Sequence, residues 1–188
     1  MKLDYLPNVL SVIRVALIVP VIWLLLHGRY GTTLIIFGLA GFTDGLDGFL
    51  AKRFGWRTEL GAVLDPFADK LLMLCSYLTL AVLQLIPVWL FVVVVARDVM
   101  IVAGGLSYHY LIGPFKATPT AVSKLNTAFQ ILLVLAVVAN AGFEIPPDLA
   151  VTILGAAVFV TTVVSGLDYV WTWGWRAWRN SDHGENVE

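Results

Sequence analysis

Six apolar runs fill most of this chain: Val9–Leu26, Thr32–Leu50, Ala62–Leu83, Val88–Leu106, Thr120–Val138 and Leu149–Trp171. Each is close to the roughly 20 residues that a helix needs to cross a bilayer. In hydrocarbon the backbone N–H and C=O groups of such a run must be satisfied internally, which a helix achieves. The expected fold is therefore all-α, a polytopic membrane protein of six transmembrane helices. Of 188 residues, 59% are hydrophobic and 13% charged, against about 25% charged in an ordinary soluble domain. That leaves one membrane domain, residues 1–179, and a polar tail, 180–188, with no room for a soluble domain.

The first run is followed by His27-Gly28-Arg29 rather than by small residues, so it reads as a retained helix and not as a cleaved signal. No Arg- and Ser-rich presequence precedes it. The expected location is a bacterial inner membrane, with the mitochondrial inner membrane as the alternative. Lys2, Lys52, Arg53, Arg57, Lys116, Arg176 and Arg179 fall on one side if both termini share it, while the opposite loops carry Arg29, Glu144 and Asp148. The excess of cations places both termini in the cytoplasm. Trp171, Trp173, Trp175 and Trp178, interleaved with Arg176 and Arg179, have the character of an interfacial anchor. The net charge of −1 argues against a nucleic-acid partner. Lone Cys75 lies in an apolar run and reads as a small buried hydrophobe.

Against this background, four aspartates are conspicuous. Asp44 and Asp47 are three apart and share a helical face; Asp65 and Asp69 are four apart, with Gly61 one turn before them. Carboxylates in a membrane segment are expensive and mark function. The connection at Phe54–Leu60 is short, so the two helices should be antiparallel neighbours and the four carboxylates can converge. Oxygen-only ligands suit Mg²⁺, Mn²⁺ or Ca²⁺ rather than zinc, and two divalent ions would balance the charge. Gly38, Gly41, Gly45 and Gly48 form one stripe. It permits close helix packing of the small-xxx-small type, while Gly48 and Gly61 flank the acid face, where a missing side chain admits a ligand. Pro66 either starts a helix at Asp65 or kinks one.

The acid frame resembles that of the CDP-alcohol phosphatidyltransferases, D-x2-D-G-x2-A-R-x8-G-x3-D-x3-D. Asp44, Asp47, Gly48, Ala51, Gly61, Asp65 and Asp69 match it, and Lys52 stands where the family has arginine, keeping charge but losing the bidentate fork. Pro7-Asn8-Val9-Leu10-Ser11 with Arg14, Ala96-Arg97-Asp98, and Ser123-Lys124-Leu125-Asn126-Thr127-Ala128 with Gln130 resemble further stretches of the family. The likeness covers most of residues 7–130. The last helix matches only in hydrophobicity.

The resemblance implies a reaction in which an acceptor hydroxyl attacks the phosphorus joined to diacylglycerol in CDP-diacylglycerol, and CMP leaves. It implies Asp44, Asp47 and Asp65 as ligands of Mg²⁺ or Mn²⁺, with two ions expected, and Asp69 as general base and possible fourth ligand. It sets Gly48, Ala51 and Gly61 beside the cytidine and its phosphates, and Lys52 near the pyrophosphate. Arg97 and Lys124 are expected to bind acceptor phosphate, with Arg14, Asn8, Asn126 and Thr127 as further contacts. A pairing of Arg97 with Asp98 is open, although adjacent helical residues do not face each other. The stretches Leu85–Met100 and Ser123–Gln130 are most similar to the branch of the family that makes cardiolipin from phosphatidylglycerol. The fourth run holds no second arginine after Arg97, which suits a singly charged diester better than dianionic glycerol-3-phosphate, the alternative acceptor. A homodimer among membrane lipids is typical of the family. A divalent-cation carrier is the reading from a different class, but a carrier wants acids along a path through the membrane, and these cluster toward one interface.

Overall fold

A computed structural model of the chain describes residues 6–54, 59–111 and 120–181, with side chains within 11–43, 67–107 and 120–171. It contains helices α1 (Leu6–Leu26), α2 (Tyr30–Phe54), α3 (Glu59–Val82), α4 (Val88–Leu111), α5 (Ala121–Phe143) and α6 (Asp148–Ser181). Each apolar run thus becomes one helix. Among the described residues three stretches are long and apolar enough to cross a membrane, Val88–Ser107, Ala121–Phe143 and Asp148–Trp171, while Ser11–Leu26 and Tyr30–Thr43 are shorter apolar helical stretches.

The chain divides into two compact units, one formed by Met1–Val88 with Val134–Val151, the other by Trp89–Leu133 with Thr152–Glu188. In the first unit α1 packs against both α3 and α2. Its buried stripe is Ser11, Arg14, Ile18, Val21 and Leu25, at the three- and four-residue steps that keep side chains on one helical face. On α3 the matching stripe is Ala68, Leu72, Ser76 and Thr79. The Ser76 and Thr79 hydroxyls donate to the carbonyls of Leu72 and Cys75, four residues back, at 2.7 and 2.8 Å. That satisfies groups which would otherwise be costly in an apolar setting.

The ends of the helices in this unit have local causes. Gly28 adopts φ +67°, its N–H bonds to Leu25 O at 3.1 Å, and the Arg29 N–H reaches Leu24 O at 2.9 Å. This is a Schellman cap. The same pair of bonds closes α3 at Gln84, from the Gln84 N–H to Ala81 O and from the Leu85 N–H to Leu80 O, although the Gln84 φ of 58° is a conformation that costs a side-chain-bearing residue roughly 1–2 kcal/mol. The fifth run was expected to stop at Val138, but α5 continues to Phe143. Asn140 is the reason: its Nδ2 donates to Pro146 O at 2.8 Å and to Asp148 Oδ1 at 2.9 Å, so this polar residue ties the end of α5 to the start of α6. α3 is one helix from Glu59, so Pro66 does not start it.

In the second unit the buried stripes are Leu90, Val94 and Arg97 on α4, Asn126, Gln130 and Leu133 on α5, and Val158, Thr162 and Ser165 on α6. Large apolar side chains face outward instead, among them Val99, Val102, Val160 and Leu167. Polar groups inside and apolar groups outside is the arrangement expected where the solvent is lipid. Trp89 and Phe159 add an edge-to-face contact, centroids 5.4 Å apart.

The glycine stripe behaves differently from close packing where it is described. Gly38 and Gly41 are exposed, and a Cβ added at either meets no heavy atom within 4 Å. Close approach occurs elsewhere, at Gly142, where an added Cβ would lie 2.8 Å from Tyr30 Cβ.

Candidate active site

The acid frame divides between two helices, Asp44 and Asp47 on α2 and Asp65 and Asp69 on α3. The side chains expected at the metal and donor sites, Asp44, Asp47, Asp65, Gly48, Ala51, Lys52 and Gly61, lie outside the described residues, as does that of Asn8. Asp69 is described. It follows Ala68 of the buried stripe, sits at the edge of that face, and has a side chain 46% exposed. Arg14 Nη1 donates to Asp69 Oδ1 at 2.6 Å, from a side chain only 1% exposed.

That contact gives Arg14 a place the sequence reading did not. Expected as a phosphate contact, Arg14 lies in the α1 stripe facing α3 and donates to the carboxylate expected to act as base. A charge-assisted bond of this kind is among the stronger hydrogen bonds. Its sequence trace was faint: two opposite charges, each between two and three turns from the start of its helix at 3.6 residues per turn.

Whether these residues suit a divalent cation turns on donor chemistry. Among the described residues no three His, Cys, Asp or Glu come together. The described member of the frame, Asp69, offers carboxylate oxygens on a partly exposed side chain. That is the ligand type hard cations take, so the fit holds at this residue.

A second polar cluster lies in the other unit. Arg97, 5% exposed, donates from Nη1 to Asp98 Oδ1 at 2.7 Å, and from Nη2 to Ser123 Oγ at 2.7 Å and Ser165 Oγ at 2.5 Å. The pairing with Asp98, which the sequence left open, is formed although neighbours on a helix do not face each other. That rule concerns the directions of Cβ atoms, and the long stem of arginine carries its guanidinium back to the adjacent carboxylate. Arg97 Nε is buried with no partner among the described residues. An unsatisfied buried donor costs about 1–3 kcal/mol, a cost that a ligand oxygen would remove.

Beside it, Asn126 is fully buried, with its Oδ1 at 2.9 Å from the hydroxyls of both Thr161 and Thr162. Thr161 has a single hydroxyl proton, and Ala157 O lies closer, at 2.7 Å. The Thr161 proton is therefore shared between Ala157 O and Asn126 Oδ1, while the Thr162 hydroxyl donates to the same Oδ1. Thr127 donates to Ser123 O at 3.1 Å, and Lys124 is exposed. Of the expected acceptor residues, then, Arg97 and Asn126 are buried and held by hydroxyls, while Lys124 is not.

Sequence reading missed Thr161, Thr162 and Ser165. Their signal was present, as hydroxyls at i, i+1 and i+4 in an otherwise apolar run, a spacing that puts Thr161 and Ser165 on one face.

An all-helical chain with spans of this length, polar groups turned inward and carboxylates on two consecutive helices is an integral membrane protein built around a charged site. The model of the CDP-alcohol phosphatidyltransferase family matches residues 4–164, reaching into α6, beyond the stretch whose motifs could be recognised by eye. Among curated relatives, a CMP-forming cardiolipin synthase of Rattus norvegicus is 35% identical over 179 residues, 87% of this chain and 59% of the relative. A probable phosphatidylglycerophosphate synthase of Mycobacterium tuberculosis is 32% identical over 177 residues, 90% of this chain and 81% of the relative. A chloroplastic CDP-diacylglycerol–glycerol-3-phosphate 3-phosphatidyltransferase of Oryza sativa subsp. japonica is 31% identical, covering 87% of this chain and 55% of the relative. The chain spans about three fifths of the length of the mammalian relatives it matches. It belongs to the CDP-alcohol phosphatidyltransferase family of enzymes.

Proposed function

We propose that the chain transfers the phosphatidyl group of CDP-diacylglycerol to a hydroxyl of phosphatidylglycerol, releasing CMP, in the manner of a CMP-forming cardiolipin synthase. The observation that carries the choice of acceptor is the Arg97–Asp98 pair. A buried guanidinium already half-neutralised by its neighbour at 2.7 Å offers little net charge to a dianionic phosphomonoester, but can still donate to the oxygens of a singly charged diester. Similarity to cardiolipin synthases at 35% identity points the same way.

In this reading Asp44, Asp47 and Asp65 hold two Mg²⁺ or Mn²⁺ ions, with Asp69 able to share them. Bound there, the ions supply charge neutralisation for the pyrophosphate. Asp69, oriented by Arg14, takes the proton of the acceptor hydroxyl. The hydroxyl oxygen bonds to the phosphorus joined to diacylglycerol, the bond from that phosphorus to the CMP oxygen breaks, and CMP departs. Gly48, Ala51 and Gly61 border the cytidine and its phosphates, and Lys52 approaches the pyrophosphate. Arg97 binds the acceptor phosphate, with Lys124, Asn126, Thr127 and Asn8 as further polar contacts. Residues 1–179 act as one membrane domain with a polar tail at 180–188. Six helices cross the bilayer with both termini in the cytoplasm, as a homodimer, in a bacterial inner membrane or a mitochondrial one.

The second reading is a phosphatidylglycerophosphate synthase, favoured by the M. tuberculosis relative, of which the chain covers 81%. A competition decides between them. Purified protein receives CDP-diacylglycerol with phosphatidylglycerol and glycerol-3-phosphate at equal concentration, and the products are resolved by mass. Cardiolipin should predominate; predominant phosphatidylglycerophosphate moves the protein to the second reading and leaves the donor and metal arguments standing.

A further inference from the structure

We propose that Ser165 on α6 is a positioning residue, which fixes the plane of the Arg97 guanidinium for the acceptor phosphate. The proposal rests on the reading of Arg97 as the acceptor contact. Ser165 is fully buried, and its Oγ accepts from Arg97 Nη2 at 2.5 Å. The same nitrogen donates to Ser123 Oγ at 2.7 Å, and Nη1 donates to Asp98 Oδ1 at 2.7 Å. Guanidinium is planar and carries its five N–H donors in a fixed fork. Contacts from three different helices, α4, α5 and α6, therefore leave it no rotation about its own bonds.

The consequence falls on Nε, which is buried with no partner among the described residues. With both terminal nitrogens bonded, Nε is the guanidinium nitrogen with no partner among the described residues, and the plane sets the direction of its N–H. Ser165 determines that direction, because Ser123 and Asp98 alone would permit the plane to tilt about the line joining their oxygens. The adjoining Gly166 brings the helix close: a Cβ there would stand 3.8 Å from Arg97 Cγ, in ordinary contact with the arginine stem. The α6 contact to the arginine is thus the Ser165 hydroxyl, and Gly166 leaves the space beside the arginine stem unfilled.

The test is a double-mutant cycle in acceptor kinetics. Ser165→Ala should raise KM for phosphatidylglycerol by roughly fivefold, somewhat less than the loss of a full hydrogen bond to a charged group because Ser123 remains. KM for CDP-diacylglycerol should stay within about twofold, because the effect runs only through the acceptor contact. Ser165→Thr, which keeps the hydroxyl, should restore the acceptor KM. In an Arg97→Lys background, which keeps charge but lacks the fork, Ser165→Ala should add nothing, because the two residues act as a unit. Ser165→Cys, nearly the same size with a weaker acceptor, should be intermediate and guards against a packing effect of alanine. Additive losses in the cycle, equal rises in both KM values, or no change in Ser165→Ala would overturn the proposal. If the wild type prefers glycerol-3-phosphate, the acceptor reading fails while the same cycle, run with that substrate, still decides the role of Ser165.

Discussion

Arg14 and Asp69 stand 55 positions apart in the chain and meet at 2.6 Å, with the arginine buried and the carboxylate half exposed. The asymmetry matters. The carboxylate can exchange part of its environment with water and ligands, and the guanidinium cannot. Arg14 is thereby a fixed reference against which Asp69 is oriented.

Asp69→Asn should accordingly do two things. It removes an anionic partner from a buried arginine, a class of change that costs up to about 3–5 kcal/mol and less where one partner is partly exposed. It also removes the proposed base, a loss of about 10²–10⁴-fold in transfer. Thermal denaturation in detergent reads the first, and CMP release the second. Binding of CDP-diacylglycerol should survive better than turnover does. Complete loss of donor binding would make Asp69 chiefly a metal ligand and the assignment of the base wrong.

For the metal, chelator should silence the wild-type protein, and Mg²⁺ or Mn²⁺ should restore it. Asp44→Asn, Asp47→Asn and Asp65→Asn should each nearly abolish CMP release from protein that still inserts in the membrane. The ground is oxygen-only donor chemistry, which selects hard cations. Full activity in excess chelator would sink the metal hypothesis.

Gly142→Ala tests the packing of the first unit. Alanine in place of glycine gains up to about 1 kcal/mol of helix propensity in a helix interior, and less here, one residue from the end of α5. Against that, the new Cβ would lie 2.8 Å from Tyr30 Cβ and 3.8 Å from the Gly31 nitrogen. A Cβ cannot swing away as a side-chain tip can, so the backbone must shift, at about 1–3 kcal/mol. The clash should win, and the thermal midpoint should fall. In combination with Tyr30→Gly, the loss should be smaller than the sum of the two single losses.

These predictions draw unevenly on what the sequence made legible. The six helices could be read because a long apolar run satisfies its backbone polar groups internally by forming a helix. Helix ends were harder: Asn140 interrupts an apolar pattern, and only the structure gives its amide two partners in the next connection. The acid frame was readable as spacing within α2 and α3, since helical period converts sequence into face. The Arg14–Asp69 contact was not, because it depends on which face of α1 packs on α3. The α6 hydroxyls were legible as a pattern without a purpose until Ser165 was found against Arg97.

Arg97→Ala carries the proposed choice of acceptor. It is a buried cation joined to one carboxylate and two hydroxyls, and α4 carries no second arginine within Val88–Leu111. With much of its charge balanced by Asp98, that one residue would act on an acceptor diester chiefly as a hydrogen-bond donor. A hydrogen bond to a charged group contributes roughly 1.5–3 kcal/mol, so removing it should weaken phosphatidylglycerol use about tenfold or more. Alanine also removes the ion pair to Asp98 at 2.7 Å and the bonds to both serine hydroxyls, which adds a stability loss that Arg97→Lys should largely avoid. The comparison separates the two effects: both variants should lose acceptor affinity, because neither retains the fork, while only alanine should lower the thermal midpoint appreciably. KM for each substrate, measured for both variants beside their denaturation curves, makes the check. An Arg97→Lys protein with wild-type KM for phosphatidylglycerol would show that the guanidinium geometry, and with it the fit to a lipid diester, is not what selects the acceptor.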